Sequence, residues 1–546
     1  MFTSQISINH IYIIVLILLS SCNNSKYISI EDQNIPLSQV VKEEKVKDWS
    51  HKDILLDSIP GISLERAYNT ILKNKSGKEV IVALIDTGVD INHKNLKDHI
   101  WINDDEILDN NLDDDKNGHI DDIQGWNFSG NDKEETNKYN HYDYTRIVSA
   151  FRDKYKNKDE DDINSSDLNE FKMYKRAEKR LKEKTKSVAQ EKEYAQNVFI
   201  WKNKAIEILK NKTKIENITI QKLDSIKKLY AKDSIIQLNI KIATGFIKNG
   251  YTDDYIDGLK LRASNMLSKQ LNVNYNERKV TGDDPNDMAN TNYGNSEINA
   301  DINFFTHGTI VAGVIAKNTP EIKVMPLCIS GFGTKHDKDI AQAIYYAVNN
   351  GAKVINMSFG KDFSLHKEWI DDAIKYAEKH NVLIVTSAGN DNDDMDNIEK
   401  FNYPDDRDEN GKEIVSNFLK VGGSTYNINE DLKYGYSNYG LKNVDLFAPA
   451  EKIYTTFPDN KFKYDTGTSL ASAITAKIGA LLYSYYPKLT SSEVKNILMD
   501  SGIKYNFNVK VSSKENKTIP FDKLSKSGRV LNAYNAFIMA DSIISH

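Results

Sequence analysis

The sequence predicts an α/β fold with a mainly parallel central sheet, and three observations carry that prediction. Apolar runs of strand length recur along the chain, segments with helical spacing of apolar residues lie between several of them, and 546 residues at 40% hydrophobic content suffice for a large core. The first run, "KEVIVALIDTG", is apolar from Val80 to Ile85 and ends in a Gly turn, as a strand buried on both faces requires. "KVMPLCIS", "AKVINMSFG", "NVLIVTSAGN" and "FLKVGGST" repeat the pattern further on. Between them, "KDIAQAIYYAVNNG" and "WIDDAIKYAEKHN" carry the helical period. Strands alternating with helices make a parallel sheet covered on both faces.

Two regions stand outside this rhythm. Residues 1–22 hold a long apolar run, "IYIIVLILLSSC", and then turn polar at once, which is the pattern of a secretion signal. Ser20 and Ser21 before Cys22 resemble a bacterial lipobox, in which Cys22 is lipidated and becomes the mature N-terminus; an ordinary signal peptide or a single membrane helix are the alternatives, since no Lys or Arg precedes the run. Residues 23–50 read as a polar tether. The second region, 131–299, is dominated by Lys, Glu, Asp and Asn, with apolar residues only at helical spacing. It predicts a charged helical insertion, whose clearest piece, residues 170–212, reads as one or two long solvated helices. The remaining segments, 51–130 and 300–546, form the globular domain.

Composition excludes some functions. Lys and Arg total 72 against 78 Asp and Glu, a net charge of −6, so no basic excess marks a nucleic-acid partner. No Gly-rich phosphate loop is present. With Cys22 lipidated, Cys328 stands alone and no disulfide framework supports an exported protein.

Four short stretches carry chemistry. Asp86 ends the first strand, where a carboxylate alone is as often a helix cap, a ribose contact or a metal ligand. His307 opens the small-residue helix "HGTIVAGVIA", where a lone His is more often structural. Asn390 follows Gly389 in "SAGN", which taken alone is a turn, and Ser469 opens the apolar helix of "GTSLASA". Together they supply a nucleophile, a base, an orienting acid and an oxyanion donor, the parts acyl transfer needs.

"IDTGVD", "HGTIVAG", "SAGN" and "GTSLASA", in that order, resemble the signature of the subtilisin-like serine peptidases. The resemblance implies a subtilisin-like three-layer fold. It implies Asp86 as the orienting acid, His307 as general base and acid, Ser469 as nucleophile, and Asn390 with the Ser469 N–H as oxyanion donors. It also implies that an extended peptide pairs between two edges: Ser358, Phe359 and Gly360, which with Gly389 border the pocket for the residue before the cut, and residues 329–333, which include Gly331. Leu470 and Ala473 depart mildly from a pattern that more often has Met and Pro there.

"LDDDKNGHIDDIQGWNF" places Asp113, Asp115 and Asn117 at alternate positions, with Gly118 for the turn and then Asp121 and Asp122, and His119 is a further candidate ligand of the loop. Such oxygen donors suit Ca²⁺ in a structural role, with Asp122 replacing the Glu that an EF-hand has where Gln124 stands; a solvated acidic turn is the plainer reading. The expectation is a monomeric serine endopeptidase with no catalytic cofactor, exported to the periplasm or held at the outer membrane or cell surface by its lipid, acting on proteins or peptides. The rival is a silent peptidase scaffold that binds rather than cuts. Few residues separate Cys22 from the core, so no inhibitory prodomain is expected, and the insertion would shade or shape the cleft.

Overall fold

The computed structural model describes residues 46–108, 110–329, 331–512 and 517–545, so Cys22 and the apolar run before it lie outside the described residues. The strands are β1 (Val80–Asp86), β2 (Trp126–Asn127), β3 (Ile322–Cys328), β4 (Val354–Met357), β5 (Leu383–Ser387), β6 (Phe418–Ser424), β7 (Leu446–Pro449), β8 (Ile453–Phe457), β9 (Lys461–Asp465), β10 (Ile503–Lys504), β11 (Asn508–Ser512), β12 (Lys517–Pro520) and β13 (Arg529–Val530). Nine form one sheet in the order β10-β13-β7-β6-β5-β4-β1-β3-β2. Every neighbour in it is parallel except β10 with β13. The predicted α/β class is the observed one.

The helices are α1 (Leu64–Asn69), α2 (Asp143–Tyr155), α3 (Leu168–Thr213), α4 (Ile220–Leu229), α5 (Ser234–Lys248), α6 (Asp253–Asn265), α7 (His307–Ala316), α8 (Asp337–Asn349), α9 (Lys367–Lys379), α10 (Thr468–Tyr485), α11 (Ser491–Asp500) and α12 (Ala533–Ile544). One hydrophobic cluster joins α7, α10 and α11 to one face of the sheet; a second joins α8 and α9 to the other. β1, β4, β5, β6 and β7 are buried almost throughout, which is why their sequences lack the polar alternation of a half-exposed strand. Within α10 nearly every residue is buried, so small side chains let it lie close against the sheet.

The insertion is helical, as expected: it folds into five α-helices among the described residues, and the stretch 170–212 lies within a single long one. Its longest, α3, spans 46 residues and buries only a stripe that includes Phe171, Tyr174, Val188, Val198 and Leu209. That stripe feeds two small cores: one with α2 and the end of α6, the other with α4 and α5. The first also takes in Phe363 and Leu365, so the insertion is anchored to the loop that follows β4. No helix of the described residues is long and apolar enough to cross a membrane.

Candidate active site

Asp86 is the last residue of β1 and 2% exposed. Its carboxylate accepts from the Thr87 N–H at 2.7 Å and holds His307 Nδ1 at 2.8 and 2.9 Å from its two oxygens. An ionised carboxylate only accepts, so Nδ1 carries the proton and neutral His307 presents Nε2 as its basic nitrogen. Thr87 docks the helix start: its Oγ1 accepts from the Gly308 N–H at 2.7 Å and donates to the Phe305 carbonyl at 3.0 Å. Gly308 permits that approach, because a Cβ there would fall 2.3 Å from the Thr87 carbonyl oxygen and 2.6 Å from that of Gly88. Burial pushes the His307 pKa down, but the charge and hydrogen bond of Asp86 outweigh it and raise the pKa above its ordinary value; Lys335 opposes the rise and Asp465 adds to it.

Ser469 is the second residue of α10, in a first turn whose N–H groups have no intrahelical acceptor. α10 packs against α7, and their first turns meet the loops at the carboxyl ends of β1, β4 and β5. The Ser469 hydroxyl donates to the Ser358 carbonyl at 3.1 Å. Among the described residues no hydrogen bond joins it to His307, which differs from the continuous relay the sequence suggested. Such bonds commonly close only when substrate is bound.

Asn390 follows β5. Its Oδ1 accepts from the Thr468 N–H at 3.0 Å and from the Thr468 hydroxyl at 3.2 Å, which leaves the Nδ2 donor for the cleft. Gly389, at φ +102°, makes the turn that presents it, and a Cβ there would meet Asn438 Nδ2 at 2.5 Å. Ser358, Phe359, Gly360, Gly389, Asn390 and Ser469 line one cavity of about 960 Å³. Ser358 Oγ also bonds the Ser469 carbonyl at 3.0 Å and Ser472 Oγ at 2.9 Å, tying the edge to the helix.

Sequence reading missed several members of this site. Asn402 abuts the pocket: a Cβ at Gly360 would lie 1.7 Å from its Oδ1, while its Nδ2 donates to the Ala388 carbonyl at 2.7 Å. Arg176 of α3 lines the same cavity, its guanidinium 4.3 Å from the ring centre of Phe363 and 4.0 Å from that of Phe401. Both come from segments distant in sequence, and only the fold reveals them. Thr87 and Thr468 adjoin Asp86 and Ser469 in sequence, and that adjacency was the available signal.

The second edge has a chain neighbour of its own. The Phe332 N–H donates to the Lys138 carbonyl at 2.8 Å and its carbonyl accepts from the Asn140 N–H at 2.7 Å, so the chain entering the insertion pairs with it. A Cβ at Gly331 would meet the Lys138 carbonyl at 2.4 Å.

The acidic loop gathers a partly different set of carboxylates. Glu106, Asp113 and Asp115 bring one ligand oxygen each within 4.8 Å of one another. Glu106 is 7% exposed; its Oε1 accepts from the Asp114 and Asp115 N–H groups, while its buried Oε2 has no partner. Asp122 sits beside this group, bound to Asn103, Asn117 and Tyr346. Asp121 and His119 are engaged elsewhere. Asp121 accepts from the Asn110 and Asn111 N–H groups, and His119 contacts Asn117 Oδ1 through Nδ1 with its ring edge-on to Trp126. An orphaned buried carboxylate oxygen facing two further carboxylates fits a hard cation.

A parallel α/β sheet with a carboxylate-bound His and a helix-start Ser at the carboxyl ends of its strands has the layout of a serine hydrolase. The model of the subtilase family matches residues 77–526, and the chain belongs to that family. It is 33% identical over 211 residues to the thermophilic serine proteinase of Bacillus sp. (strain AK1), covering 36% of this chain and 46% of that protein. It is 32% identical over 204 residues to the major intracellular serine protease of Bacillus subtilis (strain 168), covering 34% of this chain and 60% of the relative. The crystal structure of a lanthipeptide protease covers 43% of this chain and 75% of its own at 25% identity, with a TM-score of 0.35.

Proposed function

We propose that this protein is an exported serine endopeptidase, held to a membrane by lipid on Cys22, that hydrolyses peptide bonds through an acyl-enzyme. The Asp86–His307 pair, set beside a serine whose neighbour Thr468 orients Asn390, is the observation that carries the reading. Ser469 Oγ attacks the scissile carbonyl carbon and passes its proton to His307 Nε2. Asp86 holds the Nδ1 proton and steadies the imidazolium without taking that proton. Asn390 Nδ2 and the Ser469 N–H receive the oxyanion, aided by the positive end of α10. His307 then protonates the leaving amine, and water repeats the sequence to release the acid. Glu106, Asp113 and Asp115 would hold Ca²⁺, whose charge would stabilise the loop between β1 and β2.

Active-site labelling tests the reading. A fluorophosphonate probe is expected to modify the full-length protein at Ser469 and to leave Ser469→Ala unlabelled. A folded wild-type protein that neither reacts with the probe nor cuts any peptide of a mixed library refutes it.

A further inference from the structure

Lys335 lies two residues beyond the edge of residues 329–333, and its ammonium sits over Phe359 of the other edge. Its Nζ lies 5.2 Å from the ring centre of Phe359, and Phe359 is next to Ser358, the residue whose carbonyl holds the Ser469 hydroxyl at 3.1 Å. The backbone at this point is pinned, because the Lys335 carbonyl accepts from Arg146 Nη1 at 3.2 Å and from Lys361 Nζ at 3.3 Å.

Both of those cations have counter-charges of their own: Arg146 bonds Glu277 at 2.8 and 3.0 Å, and Lys361 pairs with Asp337. Lys335 differs. Among the described residues no carboxylate lies within ion-pair distance of its ammonium, and no hydrogen bond ties its Nζ. Asp86 is the anion whose field reaches it, but Asp86 is buried and committed to His307 and to the Thr87 N–H. Burial pushes the Lys335 pKa down, with Asp86 pulling it back. A half-buried ammonium without a partner is unfavourable by itself and becomes favourable when a bound molecule brings the missing charge.

We infer that Lys335 is the receptor for an acidic side chain of the substrate, an Asp or Glu within a few residues on the N-terminal side of the scissile bond. The inference rests on the peptidase reading above and adds a charge preference to it. The compact ammonium on a flexible stem can follow a carboxylate on either side chain length, whereas a substrate Lys or Arg at the same position would meet like charge. The Phe359 ring beneath it keeps the pair partly out of water, which strengthens the attraction.

The test uses the full-length protein and quenched-fluorescence peptides of one sequence that differ only in carrying Glu, Gln or Lys at each of the four positions before the cut. The expected result is one position where kcat/KM for Glu exceeds that for Gln about tenfold and Lys falls below both, with the preference shrinking as salt rises from about 0.05 to 0.5 M. Lys335→Met should bring the Glu-to-Gln ratio close to one, and Lys335→Glu should invert the order so that Lys leads. Equal rates for Glu and Gln at all four positions, with the Gln peptides cut, overturn the inference while leaving the peptidase reading in place. A Glu preference that survives in Lys335→Glu also overturns it. No cleavage of any peptide, with the fluorophosphonate probe unreacted, overturns the peptidase reading and the subsite together.

Discussion

Replacing Asp86 with Asn keeps the shape of the side chain and removes its charge, and the geometry fixes what should follow. In the native protein both carboxylate oxygens lie within 2.9 Å of His307 Nδ1. Unit charges ~4 Å apart at an effective dielectric of ~20 attract by about 4 kcal/mol. The His307 side chain is 41% exposed, so solvent screening trims this to about 1–2 kcal/mol, or about one pH unit. The base must be neutral to accept the Ser469 proton, so activity rises as pH passes upward through the His307 pKa. Without Asp86, burial and the repulsion from Lys335 remain, and the acidic limb of kcat/KM should move to lower pH by about one unit. Asn can donate to Nδ1 and so favour the wrong tautomer, which should lower kcat about 10³- to 10⁴-fold. Stability should respond in the matching direction. A His whose folded pKa is raised contributes stability that is fully present below its unfolded pKa of about 6.5 and is lost as pH rises through the folded value. The variant should therefore lose more melting temperature at pH 5 than at pH 9. The assays are kcat/KM against pH with a neutral peptide and thermal melts at the two pH values. An Asp86→Asn protein with activity within tenfold of wild type and an unmoved acidic limb would refute the assigned role.

Gly308→Ala should lower stability by about 1–3 kcal/mol and displace His307, because the new Cβ meets the backbone oxygens of Thr87 and Gly88 rather than a side chain that can yield; a denaturant melt matching wild type would contradict this. Chelation with EGTA should lower the melting temperature by a few degrees, since a cation near 100-fold above its Kd adds about 2.7 kcal/mol. Glu106→Gln should abolish that calcium dependence while His119→Gln keeps it, and an identical melt with and without EGTA would remove the metal from the loop.

Much of the fold was legible because a parallel sheet buried on both faces leaves uninterrupted apolar runs, and β1, β3, β4, β5 and β6 all stand where such runs were found. The helical insertion was legible as a kind of structure, and its stretch 170–212 as the long helix it is, but the shorter helices around it were not marked out one by one. Its helices bury only narrow stripes, so the polar residues that separate one helix from the next look like those on the solvated faces. Asp86, His307, Asn390 and Ser469 were readable because each lies in a short motif beside a strand end or helix start, where local backbone geometry restricts which residues fit.

By itself the sequence determined the fold class, the family signature and the residue types of the candidate site, since these depend on periodicity and on neighbours along the chain. Tertiary structure alone decided that Asn402 and Arg176 border the pocket, that Glu106 joins Asp113 and Asp115, and that Lys335 lacks a counter-charge above Phe359. Each of those facts concerns groups far apart in sequence, whose distances and solvent exclusion exist only once the sheet and insertion have packed.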